Sequence, residues 1–264
     1  MVSRKSDMSH PKIAVVTGGA SGIGEAAARR FVAAGWSIVI GDVNETRGGA
    51  IAEELGPAAV YLKLDVASEQ DVSRFFDEVI AIHGCVDAVI NSAGLLQNPV
   101  RIAELDMAEF DRIHAVNVRG TLLVNRAFST HMAKRGSGTI INLCSLTSFR
   151  PSGQIAYAMG KASLKMLTEL MAAELGPKGV RVNAVAPGYT MTPAMKARIV
   201  KGERDPRLVI EKSALRRFVE PSEVGEAILF LCSEAASAIT GVTLPIDAGW
   251  LASSAYTAYA SQPQ

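Results

Sequence analysis

The sequence predicts a single-domain α/β fold: one seven-stranded parallel sheet, doubly wound, with helices on both faces. Three observations carry this. Seven short apolar runs rich in β-branched residues alternate with longer segments of helical periodicity. Hydrophobic residues make up 48% of the 264-residue chain and mean hydropathy is +0.20, as expected where strands are covered on both faces and so are apolar throughout. No repeat, low-complexity tract or linker divides the chain, and doubly wound folds of this length form one domain.

The strands fall at 13–17, 37–41, 59–64, 88–91, 139–143, 181–186 and 242–246. Helices are expected near 23–34, 46–55, 69–83, 107–134, 153–176 and 222–233, and right-handed crossovers follow from the β-α-β order. The charged stretch from Met195 to Arg217 breaks the rhythm and reads as a helical insertion after the sixth strand, with 190–217 serving as a lid. Residues 1–11 read as a flexible N-terminal tail, 12–250 as the catalytic domain and 251–264, small and polar, as a C-terminal tail.

Composition narrows the function. Net charge is +1 and no basic run occurs, so neither nucleic acid nor a membrane surface is an expected partner. The apolar run 227–232 is far too short to span a bilayer. Arg4 and Lys5 precede no apolar stretch of the signal-peptide kind, so a cytoplasmic location is expected. Cys85, Cys144 and Cys232 form no CxxC pair, and reduced thiols are expected. His10, His83, His114 and His131 lack metal-ligand spacing, so no catalytic metal is expected.

Chemistry begins at the end of the first strand. Thr17-Gly18-Gly19-Ala20-Ser21-Gly22-Ile23-Gly24 leads directly into an alanine-rich helix. Strand, glycine turn and helix start together make an anion site: N–H groups and the helix dipole face a pyrophosphate that glycine lets approach. No Gly-Lys-Ser/Thr follows, which excludes a phosphate-hydrolysing P-loop. The second strand ends at Asp42, followed by Val43, about 18 residues beyond Gly24 and near the spacing at which an acid reads ribose hydroxyls. Asp42 has two readings: it binds the adenosine ribose, or it starts a turn before Asn44. The whole is a Rossmann-type arrangement.

Tyr157 and Lys161 stand at i and i+4 of a predicted helix and so share a face. Tyrosine is a poor acid–base group near neutrality, with an ordinary pKa of about 10, and a neighbouring ammonium favours its phenolate.

Together these segments resemble the short-chain dehydrogenase/reductase family over nearly the whole chain. The TGxxxGxG turn matches Thr17, Gly18, Gly22 and Gly24, and YxxxK matches Tyr157 and Lys161. The strand-end serine matches Ser145, the helical asparagine Asn117, the adenine-contacting Asp-Val pair Asp65 and Val66, and PGxxxT Pro187, Gly188 and Thr192. The usual NNAG reads Asn91-Ser92-Ala93-Gly94, and Cys144 stands where serine is common; Cys144 reads as a core filler at a strand end.

The resemblance implies roles. Tyr157 exchanges a proton with the alcohol or ketone oxygen, Lys161 lowers its pKa and binds the nicotinamide ribose, Ser145 hydrogen-bonds the substrate oxygen, and Asn117 holds water linking Lys161 to solvent. Thr192 fixes the carboxamide. NAD(H) is the expected cofactor, held further by Ser21, Ile23, Asn91, Ala93, Gly94 and Thr190. One positioned acid–base group contributes about 10²–10⁴-fold. The substrate is expected to be an uncharged, rather apolar secondary alcohol or ketone of modest size. Leu95, Leu96, Leu146, Thr147, Phe149, Tyr189, Met191 and Met195 are expected to line its pocket beside Ser145 and Tyr157. Two other readings remain: a 3-oxoacyl thioester reductase and a non-catalytic dinucleotide-sensing regulator. Excess apolar residues on the helices at 107–134 and 153–176 predict self-association, and the resemblance sets the number at four.

Overall fold

The computed structural model describes residues 11–256. Seven parallel strands form one sheet: β1 (Ile13–Thr17), β2 (Ser37–Asp42), β3 (Ala59–Lys63), β4 (Ala88–Asn91), β5 (Gly138–Leu143), β6 (Val180–Pro187) and β7 (Thr243–Ile246). Their order is β3-β2-β1-β4-β5-β6-β7. The chain winds outward from β1 in one direction and, after β4, in the other. The crevice at the strand C-termini between β1 and β4 is therefore where a ligand belongs.

Helices cover both faces. They are α1 (Gly22–Ala33), α2 (Glu45–Leu55), α3 (Glu69–His83), α4 (Met107–His114), α5 (Thr121–Arg135), α6 (Ile155–Leu175), α7 (Pro193–Val200), α8 (Pro206–Lys212), α9 (Pro221–Cys232) and α10 (Trp250–Tyr256). The pleat of β1 explains the apolar strands. Ile13 and Val15 enter the layer with Phe75, Phe128 and Leu175 of α3, α5 and α6. Ala14 and Val16 enter the layer with Phe31, Ile51 and Ile228 of α1, α2 and α9.

Two expectations are corrected. The helix expected over 107–134 is broken by a π-helical turn, Ala115–Gly120, between α4 and α5. The widened turn is supported locally, because the Thr121 hydroxyl donates to the Asn117 carbonyl at 2.9 Å. The expected C-terminal tail from 251 instead continues α10 as far as Tyr256. Asp247 explains this: its carboxylate accepts the Gly249 and Leu251 N–H groups, each at 2.9 Å, and so starts a helix. Residues 1–10 of the expected N-terminal tail, and 257–264, lie outside the described residues. The insertion after β6 is helical as expected and contains α7 and α8. Its base is tied by a bridge between Thr190 and Val219. No described helix is long and apolar enough to cross a membrane.

Candidate active site

A cleft of about 450 Å³ opens over the strand C-termini at the β1–β4 crevice. One end is the glycine turn. Gly18 and Gly22 hold φ of 65° and 56°, left-handed values that glycine adopts at no steric cost. A Cβ on Gly24 would stand 2.2 Å from the Gly18 carbonyl oxygen, so the turn closes only with glycine there. Ser21 is the N-cap of α1, yet its side chain accepts no capping bond. The first N–H groups of α1 therefore face the cleft without an internal partner, as an anion site requires.

Asp42 starts the turn, as one of its two readings has it, and lines the cleft. Its Oδ1 accepts the Asn44 N–H at 2.9 Å, a local turn, and its Oδ2 accepts the Ala20 N–H of the glycine turn at 3.0 Å. These bonds fix the carboxylate at the cleft wall, and each oxygen keeps a lone pair for a ribose hydroxyl. Arg47 is the nearby cation, and Glu25 holds it through both carboxylate oxygens at 3.0–3.1 Å. Further along the wall stand Val43, Asp65, Val66, Ala93 and Gly94; Pro187, Gly188, Thr190 and Thr192 form the opposite side. A Cβ on Gly22 would meet Thr192 Cγ2 at 3.4 Å, so the two walls converge there. An extended chain of linked phosphates, riboses and rings fits this cradle, and its residue types match a nicotinamide dinucleotide.

At the other end Ser145, Tyr157 and Lys161 come together. Ser145 stands two residues beyond β5 and caps a short 3₁₀ turn, Leu146–Ser148, accepting the Thr147 N–H at 3.3 Å. The Ser148 hydroxyl donates to the Lys161 carbonyl at 2.7 Å and so clasps this loop to α6. Lys161 is buried, and its Nζ donates to the Leu143 carbonyl at 2.5 Å and lies 5.5 Å from the Tyr157 ring centroid. Burial pulls the ammonium down to about 8.

Tyr157 is reached from the cleft, but its hydroxyl sits deep. Burial raises its pKa above the ordinary value; a hydrogen bond with Ser145 and the positive charge of Arg198 oppose the rise. The net direction is upward, whereas the resemblance implies a value lowered by Lys161. Burial outweighs the opposing groups, so the tyrosine is protonated at neutral pH.

Some expected residues lie elsewhere. Asn91 turns away from the cleft into a buried amide network, donating to Asn125 Oδ1 at 2.6 Å and Asn142 Oδ1 at 3.0 Å. Asn117 sits behind the wall: its Oδ1 accepts the Leu95 N–H at 2.7 Å and its Nδ2 donates to the Leu95 carbonyl at 2.9 Å. These bonds use one N–H and one lone pair of the amide and fix its orientation toward the loop after β4. Gly24 acts inside the turn rather than on the wall. Leu95, Leu96 and Met195 line the cleft, whereas Leu146, Thr147, Phe149, Tyr189 and Met191 do not. Tyr189 packs on Trp250 at 5.9 Å between centroids, and Met191 is held by its N–H to the Val219 carbonyl.

Residues missed by the sequence reading include Leu64, Ser92, Val116, Leu143, Cys144, Pro193 and Ala194. Leu143 and Cys144 were findable, because they end a parallel strand on the ligand side of the sheet. Burial pushes the Cys144 thiol up, which fits a packing role rather than a nucleophile.

Known proteins agree with this geometry. A family model described as enoyl-(acyl carrier protein) reductase matches residues 18–251. The cis-4-hydroxycyclohexanecarboxylate dehydrogenase of Sinomonas cyclohexanicum is 36% identical over 91% of this chain and 97% of its own. A Brucella melitensis structure described as ribose-5-phosphate isomerase superposes with a TM-score of 0.92 at 38% identity, covering 96% of this chain and 98% of that one. A 3-ketoacyl-(acyl-carrier-protein) reductase from Brucella melitensis, complexed with NADH, gives 0.84 at 34% identity over 90% of this chain and 98% of its own. An aldose–ketose isomerisation leaves the oxidation level unchanged and gives a dinucleotide cleft no task, so the cleft does not favour that activity here.

Fold and cleft define an oxidoreductase of alcohols and ketones that uses a nicotinamide dinucleotide. The chain belongs to the short-chain dehydrogenase/reductase family.

Proposed function

We propose that the protein moves a hydride between NAD(H), in preference to NADP(H), and a secondary alcohol or ketone of modest size with an apolar body. The observation that carries this is the convergence of Ser145, Tyr157 and Lys161 on one end of a cleft whose far end presents Asp42. A bound nicotinamide supplies or takes the hydride. Tyr157, protonated at neutral pH, gives its proton to the ketone oxygen or, in the other direction, takes one from the alcohol. The Ser145 hydroxyl, pinned at the start of its 3₁₀ turn, donates to the same oxygen. Lys161 places positive charge beneath the ring and stabilises the phenolate that forms during turnover. Asn117 positions Leu95, a cleft residue, through paired backbone bonds.

NAD preference rests on Asp42, whose fixed carboxylate occupies the place of a 2′-phosphate, and on Arg47, whose charge Glu25 already engages. Leu95, Leu96 and Met195 supply an apolar wall. A cyclic alcohol such as the one naming the Sinomonas relative suits that wall. The segment 190–217 acts as a lid, and exposed Met159, Met166 and Leu170 on α6 supply a face for self-association, with a homotetramer as the assembly. Light scattering at micromolar concentration reads the assembly, and a monomer rejects it.

A second reading, reduction of a 3-oxoacyl thioester, is favoured by the likeness to the NADH-complexed reductase. A panel of secondary alcohols with NAD, followed at the NADH absorbance, tests the main reading. Turnover of simple alcohols supports it; activity confined to 3-oxoacyl thioesters supports the second.

A further inference from the structure

Two hydrogen-bond donors converge beside Tyr157 without adequate acceptors. The first is Arg198 on α7. It stands three residues after Met195, a cleft residue, and so shares its helix face. Its side chain is only 16% exposed, yet its contacts are long: 3.9 Å from Nε to Glu203 Oε2 and 3.5 Å from a guanidinium nitrogen to the Gln97 carbonyl. A guanidinium has five donors in a planar fork, and these two contacts leave most of them unused. The charge is felt at the Tyr157 hydroxyl, which Arg198 helps to hold down. Arg198 therefore lies on the side of α7 that carries Met195 into the cleft, against the loop that holds Leu95 and Leu96.

The second donor is Gln97, 1% exposed in the loop that follows β4 and just beyond cleft residues Leu95 and Leu96. Its Oε1 accepts the Tyr157 N–H at 3.2 Å, serving one of the unpaired N–H groups in the first turn of α6. That bond fixes the amide orientation, because an N–H needs an acceptor. The Nε2 is thereby turned the other way, and it has no partner. Its own carbonyl takes the Gln154 amide at 2.5 Å as well as Arg198. A helix cap alone needs only the oxygen; a buried amide N–H₂ without an acceptor is destabilising unless something accepts from it.

We propose that Arg198 and Gln97 Nε2 bind a carboxylate carried by the substrate, so that the preferred substrates are hydroxy acids and their oxo counterparts. This rests on the alcohol-dehydrogenase reading above and names its substrate class. The hydrocarbon body lies along Leu95, Leu96 and Met195. The carbinol meets Ser145 and Tyr157, and the carboxylate reaches the guanidinium fork, which matches its geometry in a two-point contact. Because Arg198 belongs to the segment between β6 and α9, an anionic substrate also draws that segment over the cleft.

Two measurements test this. The first compares kcat/KM for cis-4-hydroxycyclohexanecarboxylate and for cyclohexanol in the wild type and Arg198→Met. The wild type should favour the acid at least tenfold, and the ratio should fall at least tenfold in the variant, chiefly through KM. Turnover of cyclohexanol with no preference for the acid, or an unchanged ratio in Arg198→Met, overturns the proposal and leaves the dehydrogenase reading standing. Turnover of neither alcohol counts against that reading instead, and the second measurement then decides this one. It is calorimetric titration of the NADH-bound protein with cyclohexanecarboxylate and with its carboxamide. Binding of the acid that weakens at least tenfold in both Arg198→Met and Gln97→Glu supports the site. Gln97→Glu retains an acceptor for the Tyr157 N–H while removing the donor. Equal affinity for acid and amide, or no binding of the acid, overturns it.

Discussion

Asn117 forms a closed pair of hydrogen bonds with the backbone of Leu95: Oδ1 accepts its N–H at 2.7 Å and Nδ2 donates to its carbonyl at 2.9 Å. A fully buried amide from the π turn thus stands in for a neighbouring strand, and holds the loop after β4 where it lines the cleft.

Removing that amide has two consequences. Asn117→Ala leaves two backbone groups unpaired, at about 1–3 kcal/mol each for a buried group. The variant should unfold at lower denaturant with an unchanged slope and lose turnover because Leu95 is no longer held. Asn117→Asp should fare no better, since it sets an oxygen against the Leu95 carbonyl. Urea melts with parallel kinetics measure both, and wild-type stability in Asn117→Ala would rule out this positioning role.

Discrimination between cofactors should follow Asp42. At about 4 Å and an effective dielectric between water and a protein surface, its repulsion of a 2′-phosphate is roughly 1–4 kcal/mol, or about 5-fold to several hundred-fold. In Asp42→Ala the NAD:NADP ratio of kcat/KM should narrow from both sides, through weaker NAD and better NADP. The variant also loses the acceptor for the Ala20 N–H, so Asp42→Asn is a useful companion that retains an acceptor without the charge. An unchanged ratio in both would show that this acid does not read the ribose.

Lys161 makes stability depend on pH. Its folded pKa of about 8 lies below the ordinary 10.5. Below pH 8 the lysine is charged both folded and unfolded, and the full cost of burying the charge is present. Between about 8 and 10.5 the unfolded chain binds more protons, so stability rises with pH across that window. The gap corresponds to about 3 kcal/mol. The difference in unfolding free energy between the wild type and Lys161→Met should shift in favour of the wild type by most of that amount from pH 7 to pH 10.5. A pH-independent difference would mean that the ammonium is solvated.

The fold was legible because its signals are local. Strand β1, the glycine turn and α1 are adjacent in the chain, and Tyr157 and Lys161 lie one helical turn apart. What escaped depends on contacts between distant residues. The bond between Arg198 and Gln97 spans 101 positions, and nothing near Gln97 marks it as the cap of α6. The π turn was hidden for another reason: its residues Ala115, Val116 and Val118 continue the apolar pattern of their neighbours, so periodicity shows an unbroken helix. Asn91 was misplaced because a strand-end asparagine beside a glycine turn can face either the cleft or the layer below, and only Asn125 and Asn142 in three dimensions decide for the layer. Asp42, by contrast, offered a turn reading that the bond from the Asn44 N–H meets, while its place on the cleft depends on the distant Ala20 N–H.

The lid predicts a change in exchange. The base of the segment is held by Thr190, Met191 and Val219, while Val200, Leu208 and Leu215 are exposed. Amide hydrogen exchange across 190–217 should slow when NADH is added, as the segment closes over the cleft. Equal exchange in both states would make it a static wall.

In the proposed reaction Tyr157 moves the proton that accompanies the hydride. The most direct test is stopped-flow formation of NADH by Tyr157→Phe, with NADH affinity measured by fluorescence on the same sample. The ring still packs and only the proton-transfer oxygen is gone. Affinity should stay within a few-fold of wild type while the rate falls by about 10²–10⁴. A variant that binds NADH normally and keeps more than about a tenth of the wild-type rate, well above that range, would show that Tyr157 is not the proton-transfer group.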